Sequence, residues 1–292
     1  MTAVSSALRP AREAATRRAG VRTLRTSLTY VALVVALVGT MLPFLWMVLG
    51  SVKTEGELMK VPITWWPETF TWDNFATWFT TLDFPRFLSN SVIVAVLVVV
   101  GNLLFCSMVG YALAKMDFPG KKPLFAAVLV MLMVPGVVTM IPLFVLIANL
   151  GLVNTHAGLI LPFLAAPFGV FLMRQFMFGI PDELIEAARI DGASEMRIFA
   201  RIVIPMCGPA LATLAIFTFL ASWNNFLWPL IVAQSGDMYT LPVALSLYSA
   251  GKVGPQYGIM MAGAVLIIVP IVVLFLFLQR YFVAGLATSG LK

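Results

Sequence analysis

Charge is scarce in this chain. Asp, Glu, Lys and Arg supply 11% of its 292 residues, where a soluble globular chain carries about 25%. Hydrophobic residues supply 61% and the mean hydropathy is +0.97. A chain of this length cannot enclose so much apolar side chain in one water-soluble core, so lipid must solvate much of it. There is one histidine, His156, with no HExxH or Cys/His cluster around it, which leaves no zinc-site pattern and marks it as structural or incidental. The two cysteines, Cys106 and Cys207, lie in or beside apolar runs and read as small packing residues rather than a disulfide framework. GxSxG and paired intramembrane carboxylates are missing. Gly120-Lys121-Lys122 lacks the upstream glycine and the Ser/Thr of GxxxxGK[ST], so the chain has no phosphate cradle or magnesium ligand of its own.

What the chain does have is long apolar runs. A helix needs about 20 apolar residues to cross about 30 Å of hydrocarbon. Six segments qualify: 28–50, 89–111, 124–146, 158–178, 206–232 and 258–282. The first is longer than a signal-peptide core and lacks a small-x-small cleavage site, so it reads as a retained anchor. The expected organisation is a basic tail (1–27), a six-helix all-α membrane domain (28–282) and a short tail (283–292). The net charge of +6 could suggest nucleic acid, but its placement points to membrane topology instead. Of the 19 Lys and Arg, only Lys53, Lys60, Arg86 and Lys252 fall on one side of the six spans. The positive-inside rule then puts both termini in the cytoplasm, and an even number of spans agrees.

The connection after the first span holds Trp65, Trp66, Trp72 and Trp78. It reads either as a foot in the headgroup region or as a docking surface for a partner outside the cell. Pro43, Pro135, Pro142, Pro162, Pro167, Pro209, Pro229 and Pro270 lie in or at the ends of spans. Helix breaks are tolerated in a membrane where neighbours or a wet cavity satisfy the freed carbonyls, which favours a pathway over a plain anchor. Asn224 and Asn225, beside Trp223 and Trp228, are the best polar pair in an apolar setting. They fit either a solute pathway or an interhelical hydrogen bond.

The segment 180–205, between the fourth and fifth spans, reads as two short helices with a tight turn. Pro181 suits a first helical position, Asp182 and Glu183 suit the dipole of a first turn, and Gly192 suits a left-handed C-terminal cap. Ser194 can cap the second helix and Pro205 can end it. Leu184, Ala187 and Ala188 form one stripe and Glu186 with Arg189 another; Met196, Phe199 and Val203 form the apolar stripe of the second helix. Such a helix–turn–helix implies a partner, with a merely solvated loop as the alternative.

Glu186-Ala187-Ala188-Arg189, Asp191-Gly192-Ala193, Phe199, Ile202, Pro205 and Pro209 resemble the EAA loop of permease subunits in binding-protein-dependent ABC importers. Asn90-Ser91, Thr71-Trp-Asp-Asn-Phe75, Trp223-Asn224, Tyr239-Thr-Leu-Pro242 and the tail from Gly285 to Lys292 are similar to the carbohydrate-import, MalG-like branch. The resemblance implies a permease bundle that pairs with a second permease. It implies an EAA loop seated on one subunit of an ATPase dimer, which binds ATP and magnesium while this chain binds no cofactor. An extracytoplasmic binding protein would deliver a sugar-like solute, and Glu186 would pair with a basic residue of the ATPase. Membrane lipid is an expected partner and nucleic acid is not. A secondary transporter is disfavoured because no span carries an ionisable group in its central stretch and no inverted halves are evident; a non-transporting scaffold is the other alternative.

Overall fold

The computed structural model describes the backbone of residues 3–250 and 255–289 and the side chains of residues 25–250 and 255–277. Lys252 and Lys292, and the side chains of the arginines before Arg25 and of Arg280, which entered the orientation argument, lie outside the described residues. In chain order the helices are α1 (Ala3–Ser51), α2 (Glu55–Leu58), α3 (Asp73–Thr80), α4 (Phe84–Gly101), α5 (Ser107–Lys115), α6 (Lys121–Met133), α7 (Gly136–Asn149), α8 (His156–Ile160), α9 (Pro167–Phe178), α10 (Asp182–Ile190), α11 (Glu195–Ile198), α12 (Ile204–Met206), α13 (Gly208–Trp223), α14 (Leu227–Val232), α15 (Leu241–Ser249) and α16 (Tyr257–Ser289).

Three stretches are long and apolar enough to cross a membrane: Arg25–Ser51, Phe84–Lys115 and Tyr257–Phe277. Three bent pairs bring the possible crossings to six. The apolar residues of α1 explain why lipid is required: Leu33, Val38, Met41 and Leu45 each stay more than half exposed, and only a hydrocarbon solvent leaves such a stripe without penalty.

The apolar runs at 124–146, 158–178 and 206–232 are not straight spans. The third is α6 and α7, meeting at 107°. Val134 is extended there (ψ 120°), as the residue before Pro135 must be. The fourth bends by 40° ahead of Pro167, with Ala166 extended for the same reason. In the fifth, the chain turns by 81° between Glu195–Met206 and Gly208–Trp223, and α13 stops at Trp223, leaving α14 as a separate helix. Pro142 and Pro270 lie inside unbroken helices, as does Pro43.

One polar residue ties the second crossing to the bent fourth. Asn102, 1% exposed, opens the π turn Asn102–Cys106 between α4 and α5. Its amide donates to the carbonyls of Val98 (3.0 Å) and Phe163 (2.6 Å), and its Oδ1 accepts the Ala166 N–H at 3.0 Å. Asn102 thus satisfies backbone groups freed at the bend before Pro167, as a lipid-embedded break demands.

Three apolar clusters fill the bundle. One, around Tyr111, Met173, Met177, Ile198 and Val203, lies where the 180–205 segment joins the spans. A second, around Trp78, Phe87, Trp223 and Ala262, ties α3 and α4 to α16, and a third contains Val98, Leu159 and Trp228. Trp78 is therefore core: its indole N–H donates to the Ile259 carbonyl at 2.9 Å, and its ring lies on Gly263, where a Cβ would collide with it. Trp65, Trp66 and Trp72 are exposed. Beside them Lys53 and Glu57 form a buried ion pair at 3.3 Å. Burial pushes the Glu57 carboxyl up, but bonds from the Glu68 amide, Thr64 and Lys53 outweigh it and leave the carboxyl below its ordinary value. Cys106 and Cys207 are free and buried, and His156 Nε2 bonds Asn90 Oδ1 at 3.0 Å, a bracing role.

Candidate functional site

The 180–205 segment is held to the end of the crossing Phe84–Lys115 by polar ties. Lys115 donates to the Ile180 carbonyl (2.5 Å) and to Asp182 Oδ1 (2.6 Å). Tyr111 donates to Glu195 Oε2 at 2.7 Å, and Arg189 Nε donates to Glu195 Oε1, also at 2.7 Å. These ties set the rotation of α10. They turn Ile185 and Ala188 inward and leave Leu184 and Ala187 on the outside, which corrects the expected Leu184–Ala187–Ala188 stripe. In the next helix Ile198, Phe199 and Val203 are buried while Met196 is 60% exposed. The Phe199 ring packs 5.4 Å from that of Tyr111.

Gly192 makes the turn at φ +79°, the left-handed region that glycine tolerates. The amides of Asp191, Gly192 and Ala193 donate to the carbonyls of Ala187, Arg189 and Ala188, each at 3.0 Å, closing the C-terminus of α10. Pro181 is the N-cap rather than the first helical residue. Ser194 occupies the N-cap place of α11 without a hydroxyl cap bond. Pro205 does not end the second helix. The chain runs from α11 through the π turn Phe199–Val203 into α12, and Pro205 lies within that continuous helical run, just after the π turn. The segment turns at Cys207 instead.

Glu186 does not pair with Arg189, whose guanidinium is taken by Glu195. The exposed Glu186 carboxylate has no hydrogen-bond or ion-pair partner among the described residues. It lines a polar cleft of about 200 Å³ with Lys115, Asp117, Lys121, Asp182 and Arg189. Elsewhere on the same two helices Leu184, Ile190 and Met196 expose apolar surface, 86% at Ile190. Lys115, Tyr111, Asp182 and Glu195 were not legible as site residues, because nothing in their local spacing says that they meet.

A second feature lies within the spans, a cavity of about 430 Å³ between α4, the fourth crossing and α13. Asn225 and Trp228 line it, and both also line a neighbouring cavity of about 310 Å³ beside α7. Trp223 and Asn224 are elsewhere. The Trp223 indole donates to the Ile267 carbonyl at 3.2 Å, and Asn224 donates to Leu220 O of its own helix at 2.8 Å. The cavity also brings in Phe168, Phe217, Thr218 and Ser222, which the sequence reading passed over. The spacing of Thr218, Ser222 and Asn225 on one helical face was the available signal.

An all-α, multi-span bundle with proline-broken crossings, an internal cavity and an anchored helix–turn–helix at one end defines a membrane transport subunit. The chain belongs to the family described as binding-protein-dependent transport system inner membrane component, which matches residues 106–288. It is 49% identical over 253 residues to the arabinooligosaccharides transport system permease protein AraQ of Halalkalibacterium halodurans, covering 86% of this chain and 90% of that one. It is 35% identical over 268 residues to the lactose transport system permease protein LacG of Rhizobium radiobacter, covering 92% and 97%. The fold matches a chain of a bacterial ABC transporter involved in the import of the acidic polysaccharide alginate, with TM-score 0.78 and 22% identity over 87% of this chain and 95% of that one. It is thus a multi-pass membrane protein of the bacterial inner-membrane type and a transport subunit rather than an enzyme.

Proposed function

We propose that this chain is one of two permease subunits of an ATP-driven importer for a sugar or sugar-like solute. A second, different permease completes the pathway, a binding protein delivers the solute from outside, and an ATPase dimer supplies the drive. In this reading the chain crosses six times, and the excess of Lys and Arg on one side supports a cytoplasmic location for both termini and the 180–205 segment. The basic tail is 1–27, the permease bundle 28–282 and the second tail 283–292. The relatives that carry arabinooligosaccharides and lactose support the solute class.

The coupling surface is Glu186, Ala187, Arg189, Asp191, Gly192, Ala193 and Pro205; Ala188 and Phe199, expected on it from the motif, are buried against the bundle and support it from behind. The observation that carries the reading is the state of Glu186. Its carboxylate stands exposed and unpartnered in a polar cleft, and the same segment also exposes Leu184, Ile190 and Met196. Apolar surface on the same segment as a free charge suits a docking partner that brings a cation. The α10 helix is not a free loop but is tied to α5 through Lys115, so a pull on it is delivered to the bundle.

The test is reconstitution of the chain with its second permease, ATPase and binding protein in liposomes. ATP hydrolysis should rise when sugar-loaded binding protein is added, and sugar should accumulate inside the compartment from which the binding protein is absent. Accumulation driven by an ion gradient without ATP would replace this reading with a secondary transporter. Single cysteines at Ser194 and Thr81, both exposed, check the orientation: an impermeant thiol reagent on intact cells should reach Thr81→Cys and not Ser194→Cys.

A further inference from the structure

The cavity between α4, the fourth crossing and α13, open on the side where Phe168 and Phe217 are exposed, has a chemistry of its own. Several hydroxyls on the helices bond back to a carbonyl one turn earlier: Thr29 to Arg25, Thr40 to Ala36, and Thr213 to Pro209 on α13 itself, at 2.8–2.9 Å. Thr218 and Ser222, on the same helix, do not. Neither hydroxyl has a hydrogen-bond partner among the described residues, and the Asn225 amide nitrogen also has none. The Asn225 oxygen accepts the Trp228 N–H at 3.4 Å, which steadies the side chain and leaves its NH₂ group free to donate. Thr218 and Ser222, four apart, share one face of α13; Asn225 follows in the break after the helix, and all three line the cavity.

Aromatic rings share the lining with these polar groups. Phe168 and Phe217 pack edge-on with centroids 5.8 Å apart. Trp228 is locked by its indole bond to the Gly158 carbonyl at 3.1 Å and by the Phe163 ring. The described lining residues include no Asp, Glu, Lys, Arg or His. A second cavity of about 310 Å³ adjoins it and shares Phe163, Asn225 and Trp228 as lining.

We propose that this chain itself supplies a solute subsite for an uncharged oligosaccharide, with Phe168, Phe217 and Trp228 facing the sugar's C–H surfaces and Thr218, Ser222 and Asn225 bonding its hydroxyls. The inference rests on the importer reading above and adds to it where the solute sits and which solutes fit. Ligand sites are mostly apolar with a few placed polar groups and run about 300–1,000 Å³; this one, at about 430 Å³, has that composition and size. A lipid tail would fill the aromatic wall but leave three polar groups unmet in a low-dielectric setting, which is costly. An anionic solute would find no compensating charge on this wall. The subsite therefore selects neutral sugars over phosphorylated or uronic ones.

The experiment uses the whole reconstituted complex and three probes: arabinotriose, lactose and sn-glycerol 3-phosphate. Wild type should take up a neutral probe and not the phosphate. Ser222→Ala and Asn225→Ala should each raise the KM of uptake about tenfold, one hydrogen bond's worth, at unchanged binding-protein affinity. In Ser222→Cys, modification by a membrane-permeant thiol reagent should be slowed by the transported sugar; the native Cys106 and Cys207 are fully buried and give little background. Uptake of a neutral probe driven by an ion gradient without ATP would overturn the importer reading itself. Neutral uptake with unchanged KM in both variants and no protection of the new thiol would overturn the subsite alone, leaving the cavity to lipid or to the second permease. Uptake of sn-glycerol 3-phosphate alone would overturn the uncharged class.

Discussion

Lys115 and Asp182 lie 67 residues apart in sequence, and the lysine ammonium sits 2.6 Å from the Asp182 carboxylate. The lysine side chain is 4% exposed and the aspartate 74%, so the pair is a buried arm reaching out to hold the start of α10. With the Ile180 carbonyl at 2.5 Å on the same ammonium, the second crossing and the 180–205 segment are joined as one mechanical unit.

Removing that arm should free α10 without unfolding the bundle. Lys115→Met is expected to raise amide hydrogen exchange across 181–190, while Lys115→Arg keeps most of the protection. The tie also has an acid limit. A hydrogen bond from Lys115, and then its charge, hold the Asp182 carboxyl below its ordinary value. Since the folded value is the lower one, the contribution is complete above the unfolded pKa of about 3.9 and is lost as pH falls through the folded value. Exchange at 181–190 should therefore accelerate at acid pH in wild type, with a smaller acid step in Lys115→Met. Equal acid steps in the two proteins would show that another group governs the transition.

Glu186 is the mechanism's most exposed commitment. Arg189 is occupied by Glu195, so Glu186 has no helix-face partner to lose. Glu186→Ala should leave insertion normal, abolish or sharply reduce uptake and remove stimulation of ATP hydrolysis by loaded binding protein. A charge-assisted bond to the ATPase is worth about 1.5–3 kcal/mol, which makes a tenfold or larger loss of ATPase affinity the expected scale. Wild-type stimulation in reconstituted complexes would take the residue out of coupling.

Gly192 isolates backbone strain from packing. A Cβ there meets nothing within 4 Å, yet φ is +79°. Gly192→Val should cost about 1–2 kcal/mol locally and weaken recovery of the ATPase with the permease. Gly192→Asn should be mild, because Asn visits this region with less penalty. Equal behaviour of the two variants in co-purification would count against the turn.

Asn102 tests the bent fourth crossing. Asn102→Leu keeps volume but leaves the Phe163 carbonyl and the Ala166 N–H without their partner. Stability should fall by about 1–3 kcal/mol, read as a lower unfolding midpoint in detergent. An unchanged midpoint would mean that water or a neighbouring group replaces the amide.

The sequence carried the membrane class, because so apolar a composition admits no other solvent. It also carried the number of apolar runs and the Gly192 turn, because a left-handed cap between two short helices is a local event. It carried the EAA pattern for the same reason: the motif is contiguous. What it could not carry were the angles at Pro135 and Pro167 or the stop at Trp223. A proline announces that a helix is perturbed; whether it bends by 107°, by 40° or, as at Pro142 and Pro270, does not break depends on what neighbouring residues satisfy.

Which face of α10 is buried, and which residues line the cavity, were decided by tertiary structure alone. Leu184 and Ile185 are equally apolar neighbours in sequence, and only the ties from Lys115 and Glu195 turn the second inward. Trp223 and Trp228 look alike on the chain, yet the break at 224–226 sends one ring toward α16 and the other toward the cavity. Composition and short-range spacing act through solvent and backbone and can be read along the chain. The partners of Lys115, Asn102 and Trp228 come from segments roughly 60–70 residues away, and only packing brings them together.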